Sequence, residues 1–142
     1  MHISFTIPIA PKAQKRDRIT ARGGYARSYK DKSQVLYEAK VKALIDQYKP
    51  ERPYEGALVL YVEIGLPIPK SWSKKKRAAA LEGEIAATCK PDNLNIAKNI
   101  EDIMNGIFYL DDKQIVRHCI IKYYSDNPQW DIELESLEVN DA

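Results

Sequence analysis

The sequence predicts an α+β fold, a single domain in which helices pack against a mixed β-sheet. Two observations support this prediction. Segments rich in β-prone residues occur near both ends of the chain and in its middle, and segments with helical periodicity lie between them. The chain of 142 residues has the usual length of one domain and can bury about two-thirds of its unfolded surface. We therefore treat 1–142 as one domain.

The first half of the chain predicts a strand, a basic loop and a helix. Residues 2–7 alternate apolar and polar positions, as a half-buried strand does. Residues 9–31 are predicted to form a long basic loop or hairpin with Gly23–Gly24 at its turn, and loops of this length are usually functional or disordered. Residues 33–48 predict an amphipathic helix. Its apolar face is predicted to contain Val35, Leu36, Ala39, Ala43 and Leu44.

The rest of the chain, from residue 57 onward, predicts three strands and two helices. The segment ALVLYVEIGL is apolar enough for a strand in the centre of a sheet. A serine before the first of the two helices can accept a hydrogen bond from a free N–H group of its first turn. The strands are predicted over 57–66, 114–124 and 129–138, and the helices from Ser71 or Ser73 to about Leu81 and over 92–105.

The segment 90–114, KPDNLNIAKNIEDIMNGIFYLDDKQ, carries the strongest functional signal. Asp92 lies near its start and Asp111–Asp112 near its end, while Lys98 and Asp102 follow Asp92 at helical spacing. A helix and strand folded back on each other would bring the two acidic ends together. Converging carboxylates repel unless a cation lies between them, and their hard oxygen atoms suit Mg²⁺ or Mn²⁺. A basic protein with such a site is a candidate metal-dependent nuclease.

Charge is distributed unevenly along the chain, although the formal net charge is only +2. Residues 1–50 hold eleven Lys and Arg against four Asp and Glu, whereas residues 125–142 hold six acids and no base. Charge distributed in this way produces an electric field that steers a polyanion to one side of the molecule. Tyr25, Tyr29 and Trp72 lie among the basic residues and could stack on unpaired bases, although Trp72 could instead pack in the core. The predicted DNA-binding residues are Lys12, Lys15, Arg16, Arg18, Arg22, Arg27, Lys70, Lys74, Lys75, Lys76 and Arg77.

The segment 90–114 resembles the RusA-type Holliday junction resolvases, endonucleases that cut four-way DNA junctions. Their signature runs roughly K-P-D-x-D-N-L-x-K, then D-x-x-N-G, then D-D-x-Q. Residues 4–18 and 66–76 are similar to the family's N-terminal strand and basic segment, so the resemblance weakens only after about Asn127. The residues at matching offsets are Lys90, Pro91, Asp92, Asn95, Lys98, Asp102, Asn105, Gly106, Asp111, Asp112 and Gln114.

This resemblance implies a RusA-like α+β fold and a crossover junction endodeoxyribonuclease that acts in recombination and repair. It also implies dependence on Mg²⁺ or Mn²⁺, a homodimer, and a phage or prophage type of protein. A symmetric junction cut on two opposed strands needs two active sites, which a two-fold dimer supplies.

The resemblance also implies roles for single residues. Two of the family's three essential acids correspond to Asp92 and Asp112, and its catalytic lysine corresponds to Lys98. That lysine would stabilise charge that develops on the phosphate or would orient the attacking water. Asp111 is a further candidate metal ligand beside Asp92 and Asp112, and Asp102 is a candidate for orienting its neighbours.

The third acid position of the family holds Leu94 in this chain. At about 100° per residue, Leu94 falls beside Lys98 and away from the apolar stripe of the predicted helix. It is either natural divergence, with Asn93 or Asn95 filling in, or an inactivating substitution. A leucine there adds little to a core, so we favour the loss of a metal ligand. Cleavage is then expected to be greatly reduced or absent, with DNA binding retained.

Other features of the sequence limit the functions and locations that are expected. No apolar run approaches the roughly 20 residues needed to span a bilayer, and the N-terminus lacks the features of a secretory signal. Cys89 and Cys119 form neither a disulfide framework nor a metal-binding pattern, so we expect reduced thiols and a cytoplasmic protein. His2 carries no pattern, and His118 is interpreted as a structural residue of a strand.

Two alternatives to the nuclease stay open. A non-cleaving junction-binding or DNA-architectural protein would use the basic face alone, and cleavage with a metal ion separates it from the enzyme. An RNA-binding module without chemistry would explain the basic segments but not the spaced acids.

Overall fold

In the computed structural model, four strands form one mixed sheet and three helices pack against it, which confirms the predicted α+β fold. The structure describes residues 1–137. The strands are β1 (His2–Ile7), β2 (Arg18–Thr20), β3 (Arg27–Tyr29), β4 (Leu58–Pro67), β5 (Ile115–Ser125) and β6 (Gln129–Ser136). The helices are α1 (Lys32–Ile45), α2 (Lys74–Leu81) and α3 (Asn93–Met104), with 3₁₀ turns over Arg22–Gly24, Asp46–Tyr48 and Asp112–Gln114.

The main sheet has the strand order β1–β6–β4–β5, and β2 and β3 form a separate two-stranded hairpin. Strand β6 pairs antiparallel with β1 and β4, whereas β4 and β5 are parallel. Parallel neighbours need a crossover connection rather than a tight turn. The crossover here contains α2 and α3 and brings α3, which carries the predicted site, against β5.

The core lies between one face of the main sheet and the helices α1 and α3. Trp130, Ile132 and Leu134 of β6 point into it, and the residues between them point to the other face of the sheet. The indole N–H of Trp130 donates to the Tyr37 hydroxyl of α1 at 2.9 Å, and that hydroxyl donates to the Ala10 carbonyl at 2.7 Å. Burial raises the pKa of Tyr37 to about 12.

Helix α3 follows the predicted pattern closely. Its apolar stripe is buried against the sheet and α1, and Asp92 caps its first turn, as an acid near a helix N-terminus can. The chain leaves the helix at Asn105 and turns at Gly106, whose φ of 82° is the left-handed conformation that glycine adopts readily. The stripe consists of Ile96, Ile100, Ile103 and Met104.

The predicted apolar face of α1 is wrong. Val35 and Leu36, which the periodicity places on the apolar face, are exposed, with Leu36 at 65% of its full accessibility. Two polar residues are buried instead because other side chains satisfy them. The amide of Gln34 bonds to Asn99, and the carboxylate of Glu38 accepts hydrogen bonds from Lys30. The residues that α1 buries are Gln34, Tyr37, Glu38, Val41 and Ile45.

The remaining element predictions agree with the structure to within a few residues. Ser73, rather than Ser71, caps α2, because its hydroxyl accepts the N–H of Lys76. Strand β6 ends at Ser136, and the predicted end of this strand at position 138 lies outside the described residues, as do two of the C-terminal acids. Within 1–137, no helix is long and apolar enough to cross a membrane.

Candidate metal and nucleic-acid site

Lys98 and Asp102 form an ion pair on the solvent side of α3. The Lys98 Nζ lies 3.5 Å from Asp102 Oδ2, at the i,i+4 spacing of one helical turn. The same carboxylate oxygen accepts a hydrogen bond of 2.8 Å from the Gln14 side-chain amide. Asp102 is therefore held from two sides, and it limits the positions that the Lys98 ammonium group can take.

Asp111 and Asp112 lie next to this ion pair. Asp111 precedes the 3₁₀ turn Asp112–Gln114 and accepts the Lys113 N–H at 2.9 Å. The side chain of Gln114 locks the turn, because it accepts the N–H groups of Leu110 and Asp111 and donates to the carbonyls of Tyr54 and Gly56. The turn that carries these two adjacent carboxylates is thereby held in a fixed position.

The two carboxyl groups lie within hydrogen-bonding reach of each other, and their pKa values move apart. The hydrogen bond with Asp111 raises the pKa of Asp112, with smaller contributions from burial and from the charges of Asp111 and Asp102, while Lys98 opposes the shift. The Lys113 N–H lowers the pKa of Asp111, followed by its hydrogen bond with Asp112. Carboxylates this close repel unless a proton or a cation is shared between them.

Asp92 lies at the other end of α3. Its carboxylate accepts the backbone N–H of Asn95 at 2.8 Å and is exposed to solvent. Asp92 and Asp102 are ten residues apart, about 15 Å along a helix axis. Within residues 1–137, no three His, Cys, Asp or Glu side chains are placed so that they could hold a metal ion together. The structure thus groups Asp111, Asp112, Asp102 and Lys98, and it places Asp92 apart from them.

Leu94 is 70% exposed, although every residue of the α3 apolar stripe is buried. It lines an open surface pocket of about 220 Å³ beside Lys98. The leucine therefore contributes little to the core, as the helical spacing predicts. The other lining residues are Ala97, Glu101, His118 and Ile120.

The first basic segment, residues 9–31, is anchored at Asp31, the residue that caps α1. Its carboxylate accepts hydrogen bonds from Ser33 and from Arg18, whose Nε lies 2.7 Å away. The Ser33 hydroxyl and then the Arg18 guanidinium lower the pKa of Asp31, and Asp31 raises the pKa of Arg18. Tyr25 and Tyr29 are exposed on the β2–β3 hairpin. Lys12, Lys15, Arg16, Arg18 and Arg27 are also exposed, and Arg22 lies in the 3₁₀ turn between the two strands.

The second basic segment, residues 70–77, includes the start of α2. Trp72 is half-buried, packs edge-on against Tyr124 with ring centroids 5.1 Å apart, and has Lys76 Nζ 3.9 Å from its ring centroid. This geometry agrees with the packing interpretation of Trp72. Arg77 donates to the Pro69 carbonyl at 3.2 Å. Lys70, Lys74, Lys75 and Lys76 are exposed.

A buried polar network joins the first basic segment to α3. Asn99 is completely buried, donates to the Lys12 carbonyl at 3.0 Å and accepts from Gln34 at 2.6 Å. Gln34 in turn accepts the Lys15 N–H at 3.1 Å. Sequence reasoning missed this network and Gln14. The available signal was Asn99 itself, a polar residue on the apolar side of an otherwise regular helix.

Comparison with known proteins adds to this geometry. The family model for Endodeoxyribonuclease RusA matches residues 8–135 of the chain. The chain belongs to the RusA endodeoxyribonuclease family. The predicted resemblance is thereby confirmed, and the match includes both basic segments and the whole of 90–114. This RusA-family chain is also 31% identical over 137 residues to the uncharacterized protein YqaN of Bacillus subtilis (strain 168), an alignment that covers 95% of the chain and 96% of YqaN.

Proposed function

We propose that this RusA-family chain is a metal-dependent endonuclease that resolves four-way DNA junctions in recombination and repair. The observation that carries the proposal is the grouping of Lys98, Asp102, Asp111 and Asp112 on one surface, tied through Gln14 to the first basic segment. Phosphate contacts by that segment would place a DNA backbone next to the acidic group. We further propose a cytoplasmic protein of phage or prophage type that acts as a homodimer, since two opposed cuts need two sites.

The Asp111–Asp112 pair has the chemistry that a hard divalent cation requires. Mg²⁺ usually keeps several waters and binds proteins through one or two carboxylates, with substrate phosphates completing its coordination. Two carboxylates within hydrogen-bonding reach fit that pattern, and the cation would relieve their mutual repulsion. We propose Asp111 and Asp112 as ligands of Mg²⁺ or Mn²⁺. Asp92, at the other end of α3, lies outside this pair, so its role as a ligand stays a prediction of the family resemblance. When bound, the ion would polarise the phosphate and offset its charge.

Lys98 would act on the phosphate directly. Its ammonium group is exposed, and its charge acts on Asp112, so it lies at the edge of the proposed metal site. A fixed positive charge stabilises negative charge that develops on the phosphate oxygens during hydrolysis. Asp102 and Gln14 would keep Lys98 in this place, which is the orienting role expected of Asp102.

Leu94 would weaken cleavage. Leucine has no lone pair, so the exposed position beside Lys98 cannot supply a metal ligand or accept a proton. We expect slow cleavage with retained junction binding. If cleavage is absent altogether, the chain corresponds to the alternative function, a junction-binding protein that does not cut DNA.

Cleavage of a labelled four-way junction with Mg²⁺ or Mn²⁺, beside gel-shift binding, tests the proposal. We expect Leu94→Asp to raise the cleavage rate about tenfold or more, because it restores a carboxylate to the site. Leu36→Asp, which adds the same charge at an exposed leucine of α1, is the control and leaves the rate unchanged. Binding without cutting by both the chain and Leu94→Asp would favour the non-cleaving alternative. Efficient cutting that Leu94→Asp does not improve would refute the assignment of position 94.

A further inference from the structure

A histidine–glutamate pair forms part of the pocket that Leu94 lines. His118 Nε2 on β5 lies 2.9 Å from Glu101 Oε2 on α3, and the two side chains are 36% and 17% exposed. The pair is therefore held in place but open to solvent on the pocket side. Lys98 borders the same pocket, so one lysine adjoins both this pair and the acidic group.

The neighbouring charges place the pair close to the proposed metal site. Tyr109 is buried, and its hydroxyl donates to the backbone carbonyl of Glu101. Burial raises the pKa of Tyr109, and the negative charges of Glu101, Asp112 and Asp102 raise it further. The Tyr109 hydroxyl thus contacts the residue that pairs with His118, and the charges of Asp112 and Asp102 act on the same phenol.

The hydrogen bond determines which nitrogen of the histidine can react. An ionised carboxylate can only accept, so the Nε2 atom of His118 must carry the hydrogen that binds Glu101. In the neutral imidazole, Nδ1 then holds a lone pair and can accept a proton. A carboxylate that fixes the tautomer and orientation of a histidine in this way is a known means of preparing a general base.

The other polar groups of the pocket are already engaged. Lys98 is paired with Asp102, and its ammonium group has no acceptor to offer. Glu101 is engaged by His118, and Leu94 has no polar atom. Of the residues that line this pocket, His118 is the one with a nitrogen suited to removing a proton from water.

We propose that His118, oriented by Glu101, is a general base for phosphodiester cleavage in this chain. The inference rests on the proposed nuclease function and deepens it. The water oxygen forms a bond to phosphorus while the bond from phosphorus to the leaving sugar oxygen breaks. The water proton passes to Nδ1 of His118, and solvent protonates the leaving oxygen. The pair thereby supplies a proton acceptor in a pocket where Leu94 supplies none.

The test uses whichever of the full chain and its Leu94→Asp variant cuts a four-way junction faster with Mg²⁺. In that background, His118→Ala is expected to lower the single-turnover cleavage rate about 100-fold, with junction Kd and Tm unchanged. Added imidazole should restore part of the rate of His118→Ala, which a purely structural role would not produce. Glu101→Gln should lower the rate less, because it keeps the imidazole but weakens its orientation.

His2→Ala is the matched control, because His2 also pairs with a glutamate, Glu133, but on strands remote from Lys98. Its rate should equal that of the parent with or without imidazole. Equal cutting by His118→Ala and its parent would overturn the inference and leave the nuclease proposal intact, and a slow rate without imidazole rescue would overturn the general-base role. If neither background cuts the junction, the nuclease proposal itself fails, and this inference fails with it.

Discussion

Asp111 and Asp112 illustrate a conflict between stability and function at the scale of single residues. The 3₁₀ turn and the side chain of Gln114 hold the two carboxyls together, and Asp102 adds a third negative charge. A chain selected only for stability would avoid this arrangement, since like charges in contact are unfavourable. The repulsion between the two carboxylates is consistent with the cation site that we propose there.

The raised pKa of Asp112 predicts a specific pH dependence. Because the folded state binds this proton more tightly than the unfolded state, stability is lost as pH rises from the unfolded pKa of about 3.9 through the folded pKa. In a chelating buffer, Asp112→Asn should be more stable than the parent at neutral pH by less than about 1 kcal/mol, and equal to it below pH of about 3. It should also abolish cleavage.

Urea unfolding of the two proteins at acid and neutral pH measures this difference. A destabilised Asp112→Asn at neutral pH would show that the carboxyl pair is favourable, contrary to the geometry. Asp126→Asn, which removes a carboxylate from an exposed position of the β5–β6 turn, controls for the loss of a negative charge.

The elements are arranged so that a basic segment and the site-bearing helix share one buried network. Asn99 of α3 and Gln34 of α1 bind the backbone of Lys12 and Lys15, and Gln14 reaches Asp102. All the buried side-chain polar atoms within residues 1–137 have partners. The network therefore positions the segment that is predicted to bind DNA without the penalty of an unpaired buried group.

Asn99→Ala should loosen this connection. It leaves the Lys12 carbonyl and the Gln34 amide without their partner, so we expect a loss of about 1–3 kcal/mol in the free energy of unfolding. Junction affinity should fall as well, because the basic segment is no longer held. Asn127→Ala, at an exposed position of the β5–β6 turn, should change neither quantity. Unfolding curves and gel shifts measure both, and unchanged junction affinity in Asn99→Ala would disprove the coupling.

Helix α1 shows why the elements were easier to predict than their faces. The positions of strands and helices follow from local periodicity, and they agree with the structure throughout 1–137. The orientation of α1 depends instead on which polar side chains find partners in other elements. Gln34 and Glu38 are buried because Asn99 and Lys30 satisfy them, and these contacts join residues far apart in the chain.

At the scale of the whole molecule, the charges separate onto different surfaces. Basic side chains of residues 9–31 and of α2 are exposed, among them those of Lys12, Lys15, Arg16, Arg18, Arg27, Lys74, Lys75 and Lys76. Strand β6 carries acids on the sheet face that the helices leave uncovered, where Asp131 accepts from Thr6 and Glu133 pairs with His2. A junction is then attracted to one part of the surface and repelled from another.

Lys75→Gln should therefore weaken junction binding through fewer phosphate contacts. The slope of log Kd against log salt concentration should fall by about 1 for each bound protomer. Lys40→Gln is the matched control, because it removes the same charge from an exposed position of α1 outside the predicted DNA surface. Equal slopes for the two variants would mean that Lys75 does not contact DNA.

The sequence by itself determined the fold class, the family, the order of elements and the residues that carry the candidate chemistry. These properties depend on local periodicity and on the spacing of residues within one segment, and both can be seen in the sequence alone. Only the tertiary structure placed Gln14 on Asp102, Asn99 under the basic segment and Glu101 beside His118. Each of these contacts joins elements that meet only after the β4–β5 crossover closes or the basic segment packs against α3. Such contacts depend on packing across the whole domain, so no local pattern reveals them.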